Sequence, residues 1–371
     1  MKNIWNGIYV QESAKQTLEH IINSNKIPHS FLFIGNEGVG KDFAALKFTE
    51  ALNLKFSGSE KAERINNLVT SFSEPYIKYI IPLPRGKNEN DSSSPTEKLS
   101  ADEIQILHEE LKRKSGNPYY KISIPKANSI KINSIRDIKK FLSYEYSDIA
   151  YRVVLISGAH LMNEEAQNAL LKSLEEPPSG VIIILTTAFP SMLRETIRSR
   201  CSIINFQPLG YREIKNVLIE YFKAEPKLAE KISPFALGSI LNAVNLIEND
   251  FEVLLEKTIF ILRYSFGKKY HSALEQFNQI LSDNNAETLK LVISMIIIWL
   301  NDIQKFRFGI KDFYFLDYLE TLEKFNKRFP GIPLTKIVYR LEYLSSIIQN
   351  NINLHLIALN IVYELSALTL K

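Results

Sequence analysis

Cysteine is almost missing: the 371 residues hold one, Cys201. A lone thiol excludes an internal disulfide framework and any multi-cysteine zinc site. Long apolar runs are missing too. The longest, Leu291 to Leu300, falls well short of the roughly 20 residues a helix needs to cross a bilayer, and it reads as a buried core helix. The opening MKNIWNGIYVQESAKQ has no apolar run of signal-peptide length, so a cytoplasmic protein with no membrane contact is expected. Nor does one charge dominate. With 45 basic and 41 acidic residues the balance is +4, too even to define a nucleic-acid surface, although a local basic patch stays compatible with it. What is present, 45% hydrophobic and 23% charged residues, is an ordinary soluble globular composition with length for two or three domains.

Apolar periodicity orders the chain. Residues 11–24 have a helical rhythm. Ser30-Phe31-Leu32-Phe33-Ile34 reads as a buried parallel strand, followed by a glycine loop and a helix over about 41–54. A helix at about 133–144, a strand at Arg152–Ile156, a helix at about 163–175 stopped by Pro177-Pro178, and a strand from Val181 to Thr186 complete a parallel sheet flanked by helices. The stretch from Asn88 to Pro95 has nothing apolar to bury, and residues 85–100 are expected to be a mobile loop. After Pro208 strands cease: two or three short helices over 210–250 precede a region, 251–371, that reads as helical throughout.

Gly35-Asn36-Glu37-Gly38-Val39-Gly40-Lys41 follows a strand and opens a helix, the context in which G-x-x-x-x-G-K cradles phosphates on backbone N–H groups. The next position should offer a Ser or Thr hydroxyl to Mg²⁺, but here it is Asp42. The strand 152–156 should end on carboxylates that hold the metal and orient water, yet Ser157-Gly158-Ala159-His160 follows it. A lone histidine there is no substitute, and Glu164 and Glu165 read as acids favoured at a helix start. Losing metal ligands and water-positioning group together removes most of the rate enhancement.

Several blocks together resemble the AAA+ clamp-loader family of bacterial DNA polymerase III: Lys26-Ile-Pro-His-Ser-Phe-Leu-Phe33, Asn163-Glu-Glu-Ala-Gln-Asn-Ala-Leu-Leu-Lys-Ser-Leu-Glu-Glu-Pro-Pro178, Thr196-Ile-Arg-Ser-Arg-Cys201 and Asn351-Ile-Asn-Leu-His-Leu-Ile-Ala-Leu359. The resemblance implies an α/β AAA+ P-loop domain over 1–206, a small helical lid over 207–250 and an all-α C-terminal collar over 251–371. A segment of about 57–128 is inserted where relatives carry a cysteine zinc module, and it has no metal ligands. It also implies a non-hydrolysing subunit, not an enzyme by itself, acting in DNA replication. Its partners would be gamma/tau- and delta-type subunits met through collar and AAA+ faces, the sliding clamp and primer-template DNA. The alternative within the family is an ATP-hydrolysing gamma/tau-type subunit, and outside it an active ATPase using Asp42 as an unusual ligand.

The site residues follow the same division. Gly35, Gly38, Gly40, Lys41 and Asp42 form a degenerate P-loop; no cofactor or metal is required, and residual ATP or ADP binding without hydrolysis stays open. Arg200, with Ser199 and Cys201 completing the motif, is read from the residues alone as an arginine that follows a strand and pairs with an acid. The resemblance makes it an arginine finger acting in trans. Cys201 reads as a small buried hydrophobe. Thr186 and Thr187 read as ordinary strand-end hydrogen bonders, and Leu241 stands where relatives carry a phosphate-sensing arginine. Lys131, Arg136, Lys139 and Lys140 read as a solvated helix face, with duplex backbone contact as the alternative.

Overall fold

The computed structural model describes residues 4, 5, 7, 9, 12–57, 59–90, 93–143, 149–281, 286–348 and 352–369. The chain divides into two compact units, residues 1–213 with 238–240, and residues 214–237 with 241–371.

The first unit begins with α1 (Glu12–Ser24), β1 (Ser30–Ile34), α2 (Lys41–Ser57), α3 (Ser59–Thr70) and β2 (Ile77–Ile80). It continues through α4 (Ala101–Gly116), α5 (Ile132–Ser143), β3 (Arg152–Ile156), α6 (Glu164–Glu175), β4 (Val181–Thr187), a four-residue α7 (Glu195–Arg198) and β5 (Ser202–Asn205). All five strands are parallel, in the order β2-β3-β4-β1-β5. The central strands β3 and β4 are buried along their whole lengths, as a sheet covered on both faces requires. The core on one face joins Val154, Ile156, Ile183 and Leu185 to Ile135, Ile138 and Phe141 of α5 and to Ala166, Leu170 and Leu174 of α6. Asn163 caps α6 by accepting from the Ala166 amide at 2.9 Å, which leaves Glu164 and Glu165 exposed in the first turn.

Two edge strands go beyond the sequence reading. β5 alternates only weakly, and β2 lies inside the segment taken as an insertion. That segment therefore contributes to the sheet as well as decorating it, and it has its own small core of Ile81, Leu83, Leu107 and Ile124. The stretch expected to be a mobile loop has a polar anchor at Glu89. Positions 91 and 92 lie outside the described residues. The neighbouring Glu89 side chain is 5% exposed and accepts from Lys131 Nζ at 2.6 Å, Asn133 Nδ2 at 2.6 Å and the Gly86 amide at 2.7 Å. Lys131 is thereby committed to an internal ion pair and leaves the exposed helix face to Arg136, Lys139 and Lys140.

α8 (Tyr211–Phe222) crosses from one unit to the other. The second unit holds α9 (Pro226–Ile232), most of α10 (Ile240–Glu248), α11 (Phe251–Phe266), α12 (Tyr270–Ile280), α13 (Ala286–Arg307), α14 (Leu319–Arg328), α15 (Thr335–Ile347) and α16 (Leu354–Ala367). The apolar run at 291–300 lies in α13, where Trp299 is fully buried, stacked on Phe266 at 5.7 Å and edge-on to Phe325 at 5.2 Å. The region is not helical throughout: residues 308–315 form an irregular connection. Asp302 of α13 holds it by accepting from the amides of Tyr314 and Phe315 at 2.8 and 2.9 Å. Among the described residues no helix is long and apolar enough to cross a membrane.

Candidate functional site: a P-loop closed from within

The loop between β1 and α2 has the shape its glycines permit. A Cβ on Gly35 would fall 2.5 Å from the carbonyl oxygen of Phe206, which follows β5, so the chain can leave the sheet here only without a side chain. Gly40 has φ +89, and a Cβ on it would touch the Tyr119 ring at 3.0 Å. Lys41 turns its ammonium back onto the loop, donating to the carbonyls of Gly35 and Asn36 at 2.7 and 2.6 Å. Burial lowers its pKa to about 8.

Asp42 is the centre of the site. Its side chain is 15% exposed and accepts from Ser157 Oγ at 2.7 Å, Tyr79 Oη at 3.0 Å and Thr186 Oγ1 at 2.9 Å. The Lys114 ammonium stands 3.7 Å away. Burial pushes this carboxyl upward, but Lys114 and the Ser157 and Thr186 hydroxyls outweigh it and hold the group below the usual carboxylate range. Thr186 is a strand-end hydrogen bonder, as expected, and its partner makes it part of the site. It also accepts from the Gly158 amide at 3.3 Å, tying together the ends of β3, β4 and α2. Thr187 faces His160 Nδ1 at 3.1 Å, and the imidazole, edge-on to Phe189, is kept below its ordinary pKa by burial. His160 is thus a neutral packing residue at neutral pH.

The lid on this loop comes from α4. Ser100 and Glu103 form a reciprocal capping box that fixes its start. At its end the chain doubles back, and Lys114 Nζ donates to the carbonyls of Pro118 and Tyr120, both at 2.8 Å. Glu110 secures the turn, accepting from Tyr120 Oη at 2.8 Å and the Ser123 amide at 2.7 Å. This places Tyr119 edge-on against Phe43, with centroids 5.6 Å apart, and Lys121 2.7 Å from Glu37. From the other side Ser239 Oγ donates to the Glu37 carbonyl at 2.7 Å and the Ile240 amide to the Gly38 carbonyl at 3.3 Å. Leu241, next in sequence, is apolar.

These residues do not fit a magnesium nucleotide. The carboxylate at the metal-ligand position is already satisfied by three hydroxyls and an ammonium, the P-loop lysine is folded onto its own loop, and an aromatic ring covers Gly40.

Arg200 lies elsewhere. It follows helix α7 and its C-cap Ser199, not a strand, and precedes β5. Its side chain is 36% exposed, and its guanidinium pairs with Glu175 at 2.7 Å and donates to the Thr196 carbonyl at 2.9 Å. The acid partner that the residue pattern alone suggests is therefore present. Its carbonyl accepts from Ser30 Oγ at 2.7 Å, at the first residue of β1, whereas the P-loop leaves the last. The two features are separated by the length of that strand, about 16 Å at the usual rise. Ser199 closes α7, its Oγ 3.4 Å from the Thr196 carbonyl. Cys201 is half-buried, and burial pushes its thiol up to about 11. At pH 8 its alkylation by iodoacetamide is expected to be on the order of 100-fold slower than that of a free cysteine, because so little thiolate exists; a rate equal to the free thiol's would contradict a buried, unreactive role.

Lys114, Tyr79 and Tyr119 are absent from the sequence-derived site; a buried aspartate's need for a cation is the signal that could have pointed to Lys114.

A parallel sheet in this strand order, with a glycine loop leaving β1 and helices on both faces, defines an AAA+-type P-loop domain, here followed by a helical C-terminal region. The family described as DNA polymerase III, delta subunit, matches residues 10–210, and that of its C-terminal part matches residues 261–366. The chain belongs to this family and is of the delta-prime type, related to the gamma and tau clamp-loader subunits. It is 25% identical to the delta-prime subunit of Bacillus subtilis over 82% of this chain and 80% of that one. It is 27% identical to the tau subunit of the same organism over 77% of this chain and 47% of that one, so it spans about half the length of that relative. A gamma subunit-related protein of Thermotoga maritima aligns with a TM-score of 0.44 at 18% identity, covering 96% of this chain and all of that one.

Proposed function

We propose that the chain is a non-hydrolysing clamp-loader subunit that lends Arg200 to the ATP site of a neighbouring subunit during loading of the sliding clamp onto primer-template DNA. In this reading its partners are gamma/tau- and delta-type subunits, 207–250 is a lid, 251–371 is the collar, and the chain works in the cytoplasm with no cofactor of its own. One observation carries the proposal: the exposed Arg200 stands at the opposite end of β1 from a P-loop whose metal-ligand position is taken by Asp42. An arginine so placed has no phosphate to serve in its own unit. The ATP-hydrolysing alternative would need Asp42 free to bind metal, and its oxygens are engaged.

The purified chain is expected to show no ATP turnover above background in a steady-state phosphate-release assay, and to co-purify with gamma/tau- and delta-type subunits when they are co-expressed. Turnover of about one per second or more, lost in Lys41→Ala, would return the chain to the class of motor subunits.

A further inference from the structure

Beyond β2, the segment between α3 and α5 is the part of the first unit that neither the sheet nor the proposed function accounts for. It places three side chains on the P-loop: Lys121 on Glu37, Tyr119 on Gly40 and Phe43, and Lys114 beside Asp42. In a working P-loop a divalent cation stands beside the residue that follows the P-loop lysine, and that residue gives it a hydroxyl. Here the residue is a carboxylate, and the cation beside it is the Lys114 ammonium, 7% exposed and held by two backbone carbonyls. The two substitutions make sense only together. A buried carboxylate without a cation is strongly destabilising, and so is a buried ammonium without an anion.

We propose that Lys114 is a built-in replacement for the metal ion: its ammonium neutralises Asp42, and the 114–121 turn seals the P-loop, so that the ends of β3, β4 and α2 are held together with no nucleotide or metal. This deepens the reading of the chain as non-hydrolysing and rests on it. It also supplies a role for the segment that stands in place of a zinc module: it is an internal ligand.

Thermal unfolding of the full chain, with and without metal, tests this. Lys114→Ala and Asp42→Asn should each lower the midpoint by about 6–12 °C, the shift expected for a unit of this size when one partner of a buried pair is removed. The neutral pair, Asp42→Asn with Lys114→Met, should fold and recover most of that loss. The reading specific to metal replacement is rescue. Millimolar Mg²⁺ or Mn²⁺ should raise the midpoint of Lys114→Ala, which leaves Asp42 facing a space, and should not move the wild type or Asp42→Asn. A fluorescent ADP analogue with Mg²⁺ should not bind the wild type. An unchanged midpoint in Lys114→Ala, additive losses in the pair, absence of metal rescue, or saturable Mg²⁺-dependent binding of the analogue by the wild type would each overturn the proposal. Should Lys114→Ala fail to fold, the neutral pair decides: its folding near the wild-type midpoint supports the coupling, and its failure refutes it. None of these readouts involves Arg200, so their failure would leave the trans-acting reading standing, and a failure at Arg200 would leave this one.

Discussion

Arg200→Ala is expected to leave the chain folded and able to assemble while ATP hydrolysis at the site it serves in the assembled loader falls by about 10³-fold, the lower end of what an arginine finger contributes. The two halves of that expectation have separate causes. The ion pair with Glu175 joins two substantially exposed groups, 36% and 49%. Such pairs contribute about 0–1 kcal/mol, so folding should hardly register the loss. Catalysis should register it, because positive charge is needed where negative charge redistributes on the γ-phosphoryl group, and a preorganised guanidinium supplies it without solvent rearrangement. Glu175 and the Thr196 carbonyl also fix the direction of the side chain. Arg200→Lys should be only a partial rescue, since an ammonium lacks the planar fork. The measurement is DNA-stimulated ATP hydrolysis and clamp loading by the complex, with assembly verified by gel filtration. An Ala variant that assembles and supports the wild-type rate would make Arg200 a structural residue.

The largest stability effect outside the P-loop is expected at Glu89. Glu89→Ala should lower stability by about 3–5 kcal/mol, the loss typical of breaking a buried pair, measured as a denaturation midpoint in guanidinium. The carboxylate ties the stretch at Gly86 and Glu89 to the start of α5 through Lys131 and Asn133. Among the described residues, removing it leaves the Lys131 ammonium hydrogen-bonded to the Pro84 carbonyl at 2.8 Å, without its ion-pair partner. The pH dependence has a definite sign. Burial raises the Glu89 pKa, but the hydrogen bonds from Lys131, Gly86 and Asn133 outweigh this and set it below its ordinary 4.5. A group with a depressed pKa stabilises the fold above its unfolded value and loses that contribution as pH falls through its folded one. The wild type should therefore lose stability below about pH 4.5 in excess of the variant. Equal midpoints for the two proteins at pH 7 would show that the stretch is held by its apolar contacts instead.

The sequence was legible where local pattern and physical role coincide. The runs at 30–34, 152–156 and 181–187 are apolar because their strands are buried on both faces, and the prolines at 177–178 follow the end of α6. β2 and β5 are four residues each at the sheet edges, where one neighbour is missing and polar residues are tolerated, so no strong alternation marks them. The polar run around Glu89 looked unanchored because its anchor is another polar group, Lys131, 42 positions away. Asp42 shows the same limit more sharply. Its identity announced a missing hydroxyl, but its partners Tyr79, Ser157 and Thr186 lie 37, 115 and 144 positions away, and no periodicity connects them. Arg200 differed again. The motif singled it out, whereas the pairing with Glu175 and the place at the start of β1 needed the fold.

That placement gives β1 a polarity with consequences for any line of such subunits. The strand has the P-loop at one end and Arg200 at the other; under the proposed function these are a receiving end, where a phosphate loop would accept help, and a giving end, where Arg200 would offer it. Copies joined head to tail would pass a signal one way along the row, each gating its neighbour. On that proposal, a member whose receiving end is sealed would start the relay without being driven by it, and would stand at a boundary: it would break the equivalence of the positions and give the row a fixed beginning.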